Sequence, residues 1–459
     1  MLKKFEIIQK LQHLKTKDPL GKKPIYYRGN RQDLPFYDID LNLLRFNPLN
    51  DRIHTDIKEY EQTTGMDFNL LPITKMNTII SEMIWSKHES KNKKTLEDIK
   101  RKNQLEVGVV TKDGLIVDGN RRFMLLLKIN EESSENRPFR AIILDETYDD
   151  DPTSKFNIKL LEMDIQDGED TKEDYSAIDK YIRVINFVDQ YIESVSKKAD
   201  YTLLAKKLKT TEKNIKERYE IGKMMQRYLE YIECPNLYSR LKNTEELFKK
   251  LYSTHHRIAS GGGKTPWTFD KINDAQDYES IGFDLIRWGY NPKADTGKWT
   301  TSRNLREIYF KDSDENTVFS NKNVWTHFKD RIIDFQENKE NKEKSIDEIA
   351  TERNLTTIEA AEARDIDWAQ KISPVIKEAL GKAESKINDL KNRDYPDKII
   401  SQSLDKLINL IDEDDFKYKD KITYHEKIIK YISEDEDKDD IIKNLHSIRR
   451  ISEGLIREC

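Results

Sequence analysis

The sequence predicts an α+β protein, an N-terminal α/β domain followed by mostly α-helical domains, and three observations carry that reading. Leu115-Ile-Val-Asp118-Gly119-Asn120-Arg121-Arg122-Phe123-Met-Leu-Leu-Leu127 passes from β-favouring residues through an Asp-Gly turn into an apolar helical run. Residues 37–46 alternate apolar and polar side chains as a half-buried strand does, and residues 139–144 read as another strand. From Tyr175 to Ile192, and again from Lys342 onward, apolar residues recur at helical spacing.

In chain order, residues 3–15 form an amphipathic leading helix, and a Lys/Gly/Pro-rich connector follows through Pro35. Asn47-Pro48 ends the strand over 37–46, because proline removes a ladder donor and biases the residue before it toward extended geometry. Ile79, Ile80, Met83 and Ile84 mark a helix over 77–85; residues 87–94 are a solvated basic loop and 95–102 a short second helix. Residues 201–219 have helix-turn-helix spacing: Leu204, Ala205 and Leu208 pack the first helix and Ile215 anchors the second. Thr210 or Thr211 caps that second helix, and Lys209 stands where the turn usually wants glycine, so a left-handed residue is expected there.

Residues 252–310 gain glycines and Trp267, Trp288 and Trp299, which make a small core. Ser260-Gly-Gly-Gly263-Lys264-Thr265 is a flexible loop and not a P-loop, because Ile258 occupies the place of the required first glycine. His255-His256 is a loop pair. Ile376, Leu380, Ala383, Ile387 and Leu390, then two further sets of the same spacing, predict a helical bundle that forms a homodimer interface. Residues 345–363 show only weak helix-turn-helix spacing. The domains expected are 1–36 (helix and connector), 37–165 (α/β), 170–255 (helical), 256–335 (aromatic insert) and 336–459 (all-helical).

The strand–turn–helix junction aims the positive end of a helix at one point, which suits an anion. Two arginines in its first turn add bidentate donors, and cations at a helix N-terminus are a local misfit that an anionic guest relieves. A nucleotide-phosphate site is therefore expected at Asp118, Gly119, Asn120, Arg121 and Arg122. The second helix of the 201–219 pair would present Thr211, Lys213, Asn214, Lys216 and Arg218 to DNA.

Asp118-Gly-Asn-Arg-Arg122 resembles the arginine box of the ParB/sulfiredoxin-like superfamily, in a ParB-like order of boxes covering roughly residues 37–255. Asn47-Pro-Leu-Asn50-Asp51-Arg52 resembles the family's Asn-Pro box, and the resemblance adds Arg52 to the nucleotide site. Lys159-Leu-Leu-Glu162-Met163-Asp164-Ile-Gln166 lies at the family's Glu-Asn-x-Gln-Arg box, with Met163-Asp164 in place of Glu-Asn; Glu162 or Asp164 would then take Mg²⁺. Sulfinic-acid reduction is excluded, since Asn120 stands where that branch needs cysteine.

The implied function is a ParB-like DNA-binding protein. A nucleoside triphosphate (CTP or ATP) with Mg²⁺ would switch the DNA engagement of its helix-turn-helix, with slow hydrolysis left open. The alternatives are a ParB-like nuclease or phage-defence effector acting on DNA, and a pure interaction protein. Composition sets the frame: 36% charged residues, 36% hydrophobic and a net charge of −5 describe folded helices with charged outer faces, so any DNA contact must come from a local basic face. Cys234 and Cys459 are the only cysteines, too few for a disulfide framework, and no apolar run approaches a membrane span; a cytoplasmic location is expected.

Overall fold

The structure, a computed structural model, describes residues 3–133, 136–167, 176–194, 201–261, 270–290 and 317–393, with a few positions between 268 and 311. Helix α1 (Lys4–Leu14) leads into strands β1 (Gly21–Tyr27) and β2 (Asn30–Ile39), then helices α2 (His54–Thr64), α3 (Ile73–Lys87) and α4 (Glu89–Lys102). Strands β3 (Gly108–Val110) and β4 (Ile116–Asp118), helix α5 (Asn120–Ser133), strand β5 (Phe139–Ile143) and helix α6 (Pro152–Asp167) complete the α/β part.

The sheet has the order β1-β2-β5-β3-β4, and β3 runs parallel to β5 while the other pairs are antiparallel. Strand alternation gives it two buried faces. Phe139, Ala141 and Ile143 face a core built with Ile39, Phe46, Ile80, Leu96 and Phe123. Ile142, Val109 and Val117 face Ile158 and Leu161 of α6. Phe123 packs edge-on to Phe46 at 4.8 Å and to Phe139 at 6.1 Å, which ties the start of α5 to both the sheet and the loop before α2.

The rest of the described residues are mainly helical: α7 (Ala177–Ser194), α8 (Tyr201–Lys207), α9 (Glu212–Tyr231), α10 (Glu245–Ala259), α11 (Asn273–Tyr290), α12 (Lys322–Glu337), α13 (Ile346–Arg353) and α14 (Thr357–Arg393). Helix α9 is the spine, packed by α7, α8 and α10, and α11 joins α10 to α12. No helix among the described residues is long and apolar enough to cross a membrane.

Four expectations are corrected. The connector before residue 36 is the β1–β2 hairpin, and the strand expected over 37–46 ends at Ile39, with a 3-10 turn at Leu41–Leu43. Pro24 is tolerated because β1 is an edge strand, and Pro35 because β5 pairs with β2 only from Phe36 onward. Arg28 (φ 52°) and Gly29 (φ 77°) form a two-residue hairpin turn of the kind that matches strand twist. Residues 89–94, expected as loop, open helix α4, where the buried Asn92 faces α5. The boundary expected at residues 255–256 falls inside α10. Trp267, Trp299 and the apolar repeats beyond residue 393 lie outside the described residues.

Candidate functional site

Asp118 closes β4, Gly119 turns at φ 104°, and α5 opens at Asn120, its first hydrogen bond running from Phe123 N to Gly119 O at 2.9 Å. A Cβ at Gly119 would sit 2.7 Å from Phe139 Cζ and 3.3 Å from the Arg122 guanidinium, so glycine is required twice, by φ and by space. Arg122 Nη2 donates to Asp118 Oδ2 at 2.6 Å, which fixes the guanidinium over the turn. Arg121 Nε donates to Asn92 Oδ1 at 2.7 Å and its Nη2 to Thr95 Oγ1 at 3.2 Å. Asn92 is itself held by donating to Ile84 O and Trp85 O at 2.8 and 2.9 Å. Asn92 and Thr95 therefore orient Arg121 through neutral groups. Sequence reasoning missed both, because a polar, basic stretch hides one inward asparagine on a helix.

The Asn47–Arg52 loop lies against this junction. Asn47 N donates to Asn120 Oδ1 at 3.4 Å, and Asn47 is fully buried, as are Asn50 and Asp51 within a few per cent. Asn47 Oδ1 accepts from Leu49 N and Asn50 Oδ1 from Arg52 N, so the loop is a series of side-chain-closed turns. Arg52 is half-buried, and its carbonyl accepts from Lys87 Nζ at 2.8 Å. The loop that carries Arg52 and the Asp118–Arg122 box thus belong to neighbouring segments.

Behind the loop is a sealed ionic cluster. Asp51 Oδ1 accepts from Lys159 Nζ at 2.7 Å, Glu162 Oε2 from the same nitrogen at 3.1 Å, and Asp51 Oδ2 lies 3.5 Å from Arg183 Nε. Leu49 O adds a third acceptor to Lys159 at 3.2 Å. Burial pushes the Glu162 carboxyl up to about 7, against the pull of Lys159. Burial alone would lower Lys159, but Asp51 and Glu162 outweigh it and raise it. His54, at the start of α2, is driven down to about 4 by burial. Lys159 and Arg183 join residues more than a hundred positions from Asp51, a pairing that no local spacing announces.

Of Glu162 and Asp164, the alternatives expected for Mg²⁺, each is engaged by a lysine. Glu162 faces this cluster, whereas Asp164 accepts from Lys207 Nζ of α8 at 2.6 Å through both oxygens. No group of three or more His, Cys, Asp or Glu side chains among the described residues is placed to hold a metal ion. The donor set as built does not fit a protein-bound Mg²⁺.

In the helix pair, α8 and α9 meet over buried Leu204, Ala205 and Ile215, with Leu208 packed against them. Lys209 sits at φ 50°, as the missing glycine implied. Thr211 caps α9 by accepting from Asn214 N at 3.2 Å, and Lys213, Asn214 and Lys216 are exposed, with Arg218 half-buried. Trp288 is fully buried, its Nε1 donating to Ser373 Oγ at 2.8 Å, which places it in core. His255 lies 3.5 Å from Glu279, and His256 stacks on Tyr252. No family model, curated protein or solved structure matches the chain.

Proposed function

We propose that this is a ParB-like DNA-binding protein in which a nucleoside triphosphate, CTP or ATP, held at the α5 N-terminus switches how α8–α9 engages DNA. The observation that carries it is a continuous buried path between the two places. Asn120 at the start of α5 touches Asn47, the same loop brings Asp51 to Lys159 of α6 and Arg183 of α7, and α7 packs along α9. A ligand that moves the Asn47–Arg52 loop by a fraction of an ångström disturbs an ion cluster that touches α6 and α7 together. Packed interiors answer such shifts as discrete rearrangements.

The residues in place suit the triphosphate and not the metal. Arg121 and Arg122 are preset by Asn92, Thr95 and Asp118, and Gly119 lets the chain approach closely. With Glu162 and Asp164 both engaged by lysines, no hydrolytic step is drawn through Mg²⁺.

The test is binding of CTP, ATP and GTP to the native chain and to Arg121→Ala/Arg122→Ala. Loss of two charge-assisted phosphate contacts should weaken binding by on the order of a hundredfold. Saturable binding that the double variant abolishes supports the site. No binding of any of the three nucleotides to the native chain ends the switch reading.

A further inference from the structure

We propose that the β1–β2 hairpin is a second DNA-contacting element, a basic ribbon that grips backbone phosphates beside the α8–α9 pair. It rests on the reading of α8–α9 as the DNA-binding pair and extends it to a part of the chain that carries no recognisable motif.

The register fixes which side chains share a face. Tyr26 pairs with Arg31, Pro24 with Asp33 and Lys22 with Pro35. Lys22, Pro24, Tyr26, Arg31 and Asp33 therefore project to one side, and all five are exposed. The opposite side buries Ile25 and Tyr27 in the core beneath. The outward face is thus a strip with two cations and one carboxylate. Lys22 and Arg31 make no ion pair among the described residues, whereas Arg28, in the turn, pairs with Glu146, which also accepts from the Tyr27 hydroxyl. Tyr26 stands 53% exposed at the centre of the strip.

Its position gives the strip a partner. The Lys207 ammonium lies 5.5 Å from the Tyr26 ring, and a cleft of about 240 Å³ between them is lined by Arg28, Gly29, Leu203 and Asp164. Lys207 is the last residue of α8, and the turn after it leads to Thr211, the cap of α9. The hairpin tip therefore flanks the turn that introduces Lys213, Asn214 and Lys216. It also extends past the sheet, since β5 pairs with β2 only from Phe36 to Ile39, leaving residues 30–35 with β1 as their strand neighbour. A two-stranded ribbon carrying arginine is suited to duplex phosphates, which fix position without reading sequence. In a chain of net charge −5 a DNA contact needs a local basic face, and Lys22 and Arg31 beside Lys213 and Lys216 would supply its phosphate contacts.

The experiment measures binding of the full chain to a random-sequence duplex across a salt series. It compares the native protein with Lys22→Ala/Arg31→Ala and with Lys213→Ala/Lys216→Ala. Each lost phosphate contact should flatten the slope of log K against log salt by about 0.9, so the hairpin double variant should flatten it by nearly 2. Arg31→Lys should restore most of its share, and Arg31→Glu should weaken binding further than alanine. Both hairpin residues are exposed, so the thermal midpoint should not move, which separates contact from misfolding. A hairpin variant with native affinity and slope, beside a weakened α9 variant, overturns the ribbon and leaves α8–α9 standing. A native chain that binds no duplex overturns both.

Discussion

The same two-helix turn occurs at α8–α9 and at α13–α14, and the two copies differ in what their second helix exposes and buries. In α8–α9 the turn residue is Lys209 at φ 50°; in α13–α14 it is Asn354 at φ 52°. Each is followed by a backbone bond reaching five residues back, Thr210 N to Ala205 O at 2.9 Å and Leu355 N to Ala350 O at 3.0 Å. Each leads to a threonine at the next helix start, Thr211 and Thr356. The side chains then part company. At the third position of α9 stands Asn214, which donates to Thr210, and the exposed neighbours are Lys213 and Lys216. At the matching position of α14 stands Glu359, which closes a reciprocal cap with Thr356, and Arg364 and Asp365, five and six residues on, are buried. A shared backbone turn therefore says nothing about binding; the charge and burial of the second helix decide it. The weak helix-turn-helix spacing at residues 345–363 is a genuine helix pair with an inward-facing task.

The largest expected effect follows from that burial. Arg287 of α11 is 3% exposed, donates to Asp365 at 2.8 Å and to both Glu343 oxygens at 2.7 Å, and stacks on Trp368 at 4.2 Å. Arg287→Ala takes one of two guanidinium partners from the buried Asp365, which keeps Arg240, and should destabilise the protein by about 3 kcal/mol in denaturant titration. Lys213→Ala/Lys216→Ala should leave stability within about 0.5 kcal/mol. Equal losses from the two substitutions would erase the contrast between the pairs.

A second prediction concerns the two ends of α9. Its N-terminal turn is solvent-facing, but Tyr231 in its last turn donates to Asp284 Oδ1 at 2.8 Å, and Gln336 donates to the other oxygen at 2.8 Å. Burial pushes Asp284 from its ordinary 3.8 up to about 6. The folded protein then holds this proton more tightly than the unfolded chain does. Its contribution to stability is greatest below about pH 4, declines as pH rises toward 6 and is level above that. Asp284→Asn should remove this decline, so the difference in stability between variant and native protein should change across pH 4–6 and stay constant above it. Parallel pH profiles would show that Asp284 does not titrate in this range.

What the sequence disclosed follows from how local each signal is. The α8–α9 pair was legible because Leu204, Ala205, Lys209, Thr211 and Ile215 lie within fifteen residues of one another, and the β4–α5 junction because Asp118-Gly119 and the Phe123 run are contiguous. The hairpin was not, because Pro24 and Pro35 read as breakers until their edge positions are known, and Arg28-Gly29 lacks the Asn or Asp that usually marks such a turn. The Asp51–Lys159–Arg183 cluster was illegible in principle: its members are ordinary charged residues until the chain brings them together.

The smallest effect is the sharpest test of the shared turn. A left-handed residue costs an ordinary L side chain about 1 kcal/mol, whereas asparagine tolerates it through local hydrogen bonding. Glycine removes that cost but gives back a few tenths through greater freedom in the unfolded chain. Lys209→Gly should therefore stabilise the protein by about 0.5 kcal/mol, and Asn354→Gly should change stability by less than that. Lys209 also sits in the turn that faces the hairpin side, so its removal carries a second signature: a salt slope for DNA binding flatter by up to about 0.9 if its ammonium meets a phosphate. Asn354→Gly should leave that slope untouched, because the helix it introduces is built into the core. A stability gain at Lys209 without a change in slope would mean that the turn itself stands clear of DNA and that recognition begins at Lys213.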